Sequence, residues 1–213
     1  MPVVLNSTPR VGSCWLKRIL EKLLGVECKP FLKENSLIFP LMKIHNEDPF
    51  LINELEFKQI ILIRNIYDTI VSRIFFERRM WILEDLEELF EHKKLSPKEF
   101  INKFFEYSKD KITVWVKEAQ YFINFEHPNI FKCSYEEMKN NCFDIIKQLC
   151  EYLEIKKTDI EIKNAINNCS FKNTYNKETG HENWMDYARK GIIGDYKNYF
   201  NKEQLEFIDK NKK

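Results

Sequence analysis

The sequence has no marked excess of either charge and few residues that break regular structure. Its 34 basic and 33 acidic residues give a formal net charge of +1, which argues against a general electrostatic attraction to nucleic acid. Only 5 Gly and 7 Pro interrupt its 213 residues, and no internal repeat or low-complexity linker is present. We therefore expect one globular domain over residues 1–213 and no nucleic-acid partner.

Long apolar runs and metal-type cysteine spacings are also missing. No stretch approaches the length that a membrane-spanning helix needs, and the first residues lack a basic region followed by an apolar run. The cysteines form no C-x-x-C pair and have no histidines clustered near them, which predicts no metal site. They are Cys14, Cys28, Cys133, Cys142, Cys150 and Cys169. We expect reduced thiols in a cytoplasmic protein that does not insert into a membrane.

Three short apolar runs predict strands. Val3 to Asn6 opens the chain, Lys58 to Arg64 is a continuous apolar run typical of a strand buried on both faces, and Ile130 to Cys133 is the third candidate. Helical patterns separate these runs, so we expect a small parallel β-sheet flanked by helices, an α/β fold with high helical content. In such sheets, ligands bind at the carboxyl ends of the strands.

The helices are predicted from apolar stripes and capping boxes. Ser13 to Leu24 carries an apolar stripe and is followed by Gly25, and a second helix is expected from Asp68 to about Met80. Capping boxes predict a long helix from residue 96 to about 125, a shorter one after Ser134 and another after Thr158.

The segment after the first strand has the character of a phosphate loop. Residues 7–16 read Ser-Thr-Pro-Arg-Val-Gly-Ser-Cys-Trp-Leu, a turn that leads into a helix whose first N–H groups are free to meet an anion. Arg10 adds a fixed positive charge and Ser13 a hydroxyl. The Gly-Lys-Ser/Thr ending of nucleotide kinases is missing.

Three further segments bear donor groups in an ordered series. Leu-Met-Lys-Ile-His spans residues 41–45, Arg-Asn-Ile-Tyr-Asp-Thr-Ile-Val-Ser spans 64–72, and Arg-Lys-Gly-Ile-Ile-Gly-Asp-Tyr-Lys-Asn-Tyr-Phe spans 189–200. Arginine offers a fork of donors to phosphate oxygens, and a glycine after two basic residues lets backbone N–H groups approach an anion closely.

Together these segments resemble the cytosolic-type sulfotransferases, enzymes with a P-loop-type fold. The family patterns read roughly T-Y-P-K-S-G-T-T-W-L, K-x-H, R-N-P-x-D-x-x-V-S and R-K-G-x-x-G-D-W-K-N-x-F. The resemblance implies transfer of a sulfuryl group from 3′-phosphoadenosine 5′-phosphosulfate (PAPS), which leaves 3′,5′-adenosine bisphosphate (PAP), to a hydroxyl or amine. It covers the chain from residue 5 to about residue 207 and implies no metal.

The resemblance also assigns roles to individual residues. It implies His45 as the general base, helped by Lys43 and Arg10. It implies a donor site made of the phosphate loop, a 3′-phosphate clamp and aromatic contacts to the nucleotide. These donor-site residues are Arg10, Val11, Gly12, Ser13, Cys14, Trp15, Arg64, Ser72, Tyr135, Phe171, Arg189, Lys190 and Gly191. For Trp15, Tyr135 and Phe171, simple core packing is the competing interpretation.

Departures from the family patterns keep two alternatives open. Arg10 stands where the family has lysine, and Ser13-Cys14 replaces a threonine pair, so a nucleotide-binding member without transfer activity is one alternative. A P-loop nucleotide kinase is the other, although the missing Gly-Lys-Ser/Thr argues against it.

The acceptor and the oligomeric state are less specified. We expect residues 31–50 and 75–81 to line the acceptor pocket for a small molecule or a glycan, with Arg78 and Arg79 either favouring an acidic acceptor or forming a solvated helix face. Asn201 and Lys202 replace the Thr-Val of the family's dimer motif, which predicts a monomer or weak dimer.

Overall fold

The computed structural model describes residues 3–30, 41–44, 58–83, 95–180 and 189–212, with the backbone alone at 30, 41–44 and 81–83. Two compact units are present. The first comprises Met1–Arg64 with Phe122–Asn176, and the second comprises Asn65–Tyr121 with Lys177–Lys213. Folding of the chain as one domain over residues 1–213 stays a prediction.

The first unit contains a five-stranded parallel sheet in the order β2-β3-β1-β4-β5. Its strands are β1 (Val3–Asn6), β2 (Lys29–Pro30), β3 (Leu41–Ile44), β4 (Lys58–Ile63) and β5 (Ile130–Ser134). The expected small parallel sheet is confirmed, with all three predicted strands in it. Sequence analysis predicted neither β2, a two-residue edge strand that tolerates proline, nor β3, whose residues were assigned only to the Lys-x-His motif.

Burial explains why β1 and β4 lie at the centre. All four residues of β1 are buried, and Ile60 and Ile61 of β4 have no exposed surface. The sheet is therefore covered on both faces, as the continuous apolar run of β4 predicts.

The helices of the first unit are α1 (Ser13–Leu24), α5 (Tyr135–Tyr152), α6 (Asp159–Asn168) and α7 (Phe171–Tyr175). Gly25 ends α1 in the left-handed region, as expected, and its N–H donates to the carbonyl of Glu21 at 2.9 Å. Capping boxes at Ser134 and Thr158 are both formed. The α5 helix is longer than expected and passes through one non-helical residue, Asn141.

The second unit is helical where the structure describes it. It holds α2 (Ile66–Leu83), α3 (Pro97–Tyr107), most of α4 (Lys109–Asn124), a 3₁₀ helix (Asp195–Asn198) and α8 (Lys202–Lys210). The prediction of one helix from 96 to about 125 is wrong. Ser108 leaves the helical region with φ −123° and ψ 31°, so the chain turns between α3 and α4.

The units have separate apolar cores. In the first, Leu16, Ile19 and Leu20 of α1 pack with the sheet, while in the second, Phe100 and Phe104 of α3 pack with residues of α2 and α4. Among the described residues, no helix is both long and apolar enough to span a bilayer.

Candidate functional site

The loop between β1 and α1 has two residues in the left-handed region. Arg10 has φ +74° and Gly12 has φ +97°. Gly12 is the N-cap of α1, and no side chain caps the helix. Because Trp15 and Leu16 donate their N–H groups to the Gly12 carbonyl at 2.9 and 3.4 Å, the helix starts tightly, with its first N–H groups directed at the loop. This geometry suits an anion.

Tyr135 limits what residue 12 can be. A Cβ atom at Gly12 would lie 2.6 Å from the Cδ2 atom of the Tyr135 ring. The same ring meets Trp15 edge-to-face with centroids 6.0 Å apart, and Tyr135 is 7% exposed. The indole Nε1 of Trp15 is buried and finds no hydrogen-bond partner among the described residues. The two aromatic residues thus form one wall of the loop.

Arg64 joins this cluster from the carboxyl end of β4. Its Nη1 donates to the carbonyl oxygen of Arg10 at 3.3 Å, and its guanidinium carbon lies 4.5 Å from the centre of the Tyr135 ring. The first unit therefore brings together five residues that the sequence motifs had singled out: Arg10, Gly12, Trp15, Arg64 and Tyr135.

Lys139 belongs to the same region, although sequence reasoning did not assign it to the site. It lies one helical turn after Tyr135 on α5 and forms no ion pair with any residue in the described part of the chain. Burial, followed by the positive charge of Arg64, lowers the pKa of Lys139. The signal was available in the sequence, because residues four apart on a helix share a face.

Phe171 occupies the start of α7. Its ring contacts Tyr175 with centroids 5.1 Å apart, and the guanidinium carbon of Arg18 lies 5.4 Å from the Tyr175 ring centre. Burial raises the pKa of Tyr175, against the positive charges of Arg18 and Arg10. The structure thus places an aromatic pair and a second arginine on α7 and α1.

In the second unit, Arg189 and Lys190 converge on one buried carboxylate. Arg189 forms an ion pair with Asp195, and Lys190 Nζ lies 3.0 Å from Asp195 Oδ1. The Tyr199 hydroxyl accepts from Arg189 Nη1 at 3.0 Å and from Lys190 Nζ at 2.9 Å. Burial alone would raise the pKa of Asp195, but Arg189, Asn198 and Lys190 together hold it below its ordinary value.

A second buried carboxylate fixes the same loop. Asp68 in the first turn of α2 accepts hydrogen bonds from the backbone N–H groups of Gly194 at 2.7 Å and Tyr196 at 3.1 Å. Sequence reasoning treated Asp68 only as an acidic residue of a helix start. Ser72 follows it one turn later on α2, and Gly191 has φ +65°.

The predicted catalytic residues His45 and Lys43 belong to the segment that contains β3. His45 lies outside the described residues, and for Lys43 only the backbone is described, in β3 beside Leu5 of β1 and Pro30 of β2. Residues 31–40 and 45–50 of the expected acceptor segment also lie outside the described part of the chain.

Arg78 is buried, contrary to the expectation of a solvated helix face. It is 1% exposed, its Nη2 donates to the carbonyl of Leu95 at 2.7 Å, and its guanidinium carbon lies 4.8 Å from the Phe100 ring centre. Burial lowers its pKa. Arg78 is therefore buried within the second unit and does not form a solvated helix face, and its part in acceptor binding stays a prediction.

Comparison with known proteins decides the family. The model of the sulfotransferase domain matches residues 31–212 of this chain. The chain belongs to the sulfotransferase family. It is 30% identical to a flavonol sulfotransferase-like protein of Flaveria bidentis over 98% of this chain and 79% of the relative. It is 29% identical to a 3-beta-hydroxysteroid sulfotransferase of Cavia porcellus over 72% of this chain and 54% of the relative.

Solved structures agree on the fold. A mouse sulfotransferase complexed with PAP superimposes with a TM-score of 0.69 at 20% identity, over 98% of this chain and 82% of that one. A retinol dehydratase in complex with androsterone and inactive cofactor PAP gives 0.63 at 17% identity, over 99% and 79% of the two chains. The expected P-loop-type sulfotransferase fold is thereby confirmed, and the chain is a transferase of sulfuryl groups by family.

Proposed function

We propose that this protein transfers the sulfuryl group of PAPS to a hydroxyl or amine of a small-molecule acceptor. The observation that carries the proposal is the cluster in the first unit, where an uncapped helix start, the Arg64 guanidinium and the Tyr135 ring meet at one loop. Two structural relatives were solved with PAP. The relatives named above, a flavonol sulfotransferase-like protein and a 3-beta-hydroxysteroid sulfotransferase, favour a small acceptor over a glycan.

The chemistry of the donor groups suits a nucleotide with two phosphate positions. The loop from Arg10 to Cys14 would hold the 5′ side through backbone N–H groups and the Ser13 hydroxyl. By the family resemblance, the residues that would bind the 3′-phosphate are Arg64, Ser72, Arg189, Lys190 and Gly191. Trp15, Tyr135 and Phe171 would contact the adenine. Bound PAPS supplies the sulfuryl group, and the proposal involves no metal.

His45 would accept the proton of the acceptor. A positioned base of this kind contributes on the order of a hundredfold to ten-thousandfold in rate. Arg10 and Lys43 would stabilise negative charge on the sulfuryl and leaving oxygens, as in other transfers where electrostatic positioning dominates. Because an arginine binds oxygens in a fork and does not release its proton, Arg10 would act through charge alone.

Calorimetric titration with PAP, AMP and ATP tests the donor assignment. We expect PAP to bind at least about tenfold more tightly than AMP, because a charge-assisted contact to the 3′-phosphate is worth about 1.5–3 kcal/mol. Equal affinities for PAP and AMP would refute the clamp. Tighter binding of ATP with Mg²⁺ would favour the kinase alternative.

Transfer from radiolabelled PAPS to a panel of phenols, flavonols and sterols tests the activity. We expect His45→Ala to reduce turnover at least about a hundredfold with unchanged PAP affinity. His127→Ala is the matched control, because His127 is exposed and should have no effect. Tight PAP binding without turnover on any acceptor would leave a nucleotide-binding protein as the function.

The proposal extends to the setting of the reaction. We place the enzyme in the cytoplasm as a monomer or weak dimer, because the family resemblance is to the cytosolic type and the dimer motif is altered at Asn201 and Lys202.

A further inference from the structure

We propose that Asp68 is a positioning residue that sets the distance between Ser72 and the clamp loop, defined as residues 189–198. The proposal rests on the proposed function, since it assumes that Ser72, Arg189 and Lys190 bind the 3′-phosphate. It goes further by assigning selectivity for the 3′-phosphorylated nucleotide to a carboxylate that touches no phosphate.

The contacts of Asp68 are with the backbone of the loop. Its two carboxylate oxygens each accept one N–H group, Oδ2 from Gly194 at 2.7 Å and Oδ1 from Tyr196 at 3.1 Å. Asp68 is only 2% exposed, so water does not compete effectively for these hydrogen bonds. Because backbone donors cannot rotate away as side chains can, the carboxylate fixes the path of the chain itself.

The position of Asp68 on α2 relates the hydrogen bonds to the clamp loop to the position of Ser72. Residues four apart on a helix lie on the same face, one turn above the other. The Cα atom of Ser72 therefore lies about 6 Å along the helix axis from the Cα atom of Asp68. A shift of the loop against α2 would change the spacing between Ser72 and the basic side chains of the loop.

The hydrogen bonds that Asp68 accepts also affect Arg189 and Lys190, through Asp195. Asp195 lies in sequence between the two anchored residues, Gly194 and Tyr196, and its carboxylate binds both Arg189 and Lys190. Asp195 is itself 2% exposed. Fixing the N–H groups on either side of Asp195 fixes its carboxylate, and that carboxylate orients the two cations.

Two substitutions separate geometry from charge. Asp68→Asn keeps the size but turns one acceptor into an NH₂ donor, which would face a backbone N–H group. Asp68→Glu keeps the charge and both acceptors but displaces them by one methylene. Asp110→Asn is the matched control, because Asp110 also lies in the first turn of a helix of the second unit and is exposed.

Titration of these variants with PAP and with AMP tests the proposal. We expect Asp68→Asn and Asp68→Glu each to weaken PAP binding about tenfold or more, and AMP binding less than about twofold. Asp110→Asn should match the wild type for both. Wild-type PAP affinity in Asp68→Glu, or equal weakening of PAP and AMP, would overturn the positioning role. Failure of the proposed function looks different, because the wild type itself would then show no preference for PAP.

Amide hydrogen exchange of the wild type covers the case in which the variants do not fold. We expect the N–H groups of Gly194 and Tyr196 to exchange slowly before any nucleotide is added, because Asp68 already binds them. Rapid exchange at both positions in the free protein would overturn the proposal.

Discussion

The two units present their basic side chains in opposite electrostatic settings. In the first unit, Arg64 rests on a carbonyl oxygen and an aromatic face, and Lys139 has no ion pair within the described residues. In the second, Arg189 and Lys190 share one buried carboxylate. A bound anion would therefore pair with Lys139 in the first unit, whereas in the second Asp195 already offsets one of the two positive charges and fixes the positions of Arg189 and Lys190.

The paired cations of the second unit and Lys139 of the first affect the free energy of unfolding differently. Removing one partner of a buried, hydrogen-bonded ion pair leaves the others uncompensated, which is costly. A half-buried lysine without a partner costs stability in the free protein and regains it when a ligand neutralises it. Loss of the Asp195 carboxylate should therefore lower the stability of the second unit. Loss of the Lys139 amine should instead weaken ligand binding by the first unit.

Asp195→Asn should give the largest effect on stability. We expect a loss of about 3 kcal/mol in the free energy of unfolding at pH 7, measured in urea, because Arg189 and Lys190 lose their shared charge. Since the pKa of Asp195 is lowered in the folded state, its stabilisation is complete above the ordinary aspartate pKa and is lost as the pH falls through the lowered value. The variant should therefore lose less stability than the wild type on acidification below about pH 4. If the free energy of unfolding of the variant and of the wild type fell equally below about pH 4, this account would be contradicted.

Gly12→Ala should come next, with Gly25→Ala as its control at the other end of α1. Both glycines have positive φ, +97° and +67°, but a Cβ at Gly12 would meet the Tyr135 ring while one at Gly25 meets nothing within 4 Å. We expect about 1 kcal/mol of destabilisation at Gly25 from backbone strain alone. Steric overlap with the Tyr135 ring should add about 1 kcal/mol at Gly12. Equal losses in urea unfolding would show that Tyr135 does not confine the loop.

Lys139→Met should give the smallest of the three effects, and we expect it to change mainly PAP binding. Burial and the charge of Arg64 lower the pKa of Lys139, so its charge is lost earlier than usual as the pH rises. We expect wild-type affinity for PAP to fall about threefold or more as the pH rises from neutrality towards the ordinary lysine pKa of about 10.4, and the variant to lose this dependence. Lys147→Met on the exposed side of α5, where Lys147 pairs with Asp159, should keep the wild-type profile. A pH profile unchanged in Lys139→Met would remove Lys139 from the binding site.

Local patterns predicted much of the first unit. The apolar runs located β1, β4 and β5, and the stripe from Ser13 to Leu24 gave α1 with its observed ends. These elements are specified by their own residues, through burial on both faces or along one stripe. The edge strand β2 was not predictable in this way, because two residues have no periodicity and owe their pairing to β3.

What the sequence could not provide were the partners of buried charges. Asp68 and Gly194 are far apart in the chain, and neither segment has a sequence pattern that predicts their contact. Arg78 lies in a run that looks amphipathic, yet its guanidinium is buried against Leu95 and Phe100. The break at Ser108 was missed because serine is tolerated within helices as well as at their ends.

The strand order has a consequence for the order in which the chain can fold. Both neighbours of β1 follow it in the chain, so during synthesis its two edges stay open until residue 44 and then residue 63 have left the ribosome. Every pairing in this sheet joins parallel strands and therefore closes a loop, which slows folding. The central strand is only four residues long, and so short an open edge offers little template for misassembly with other nascent chains.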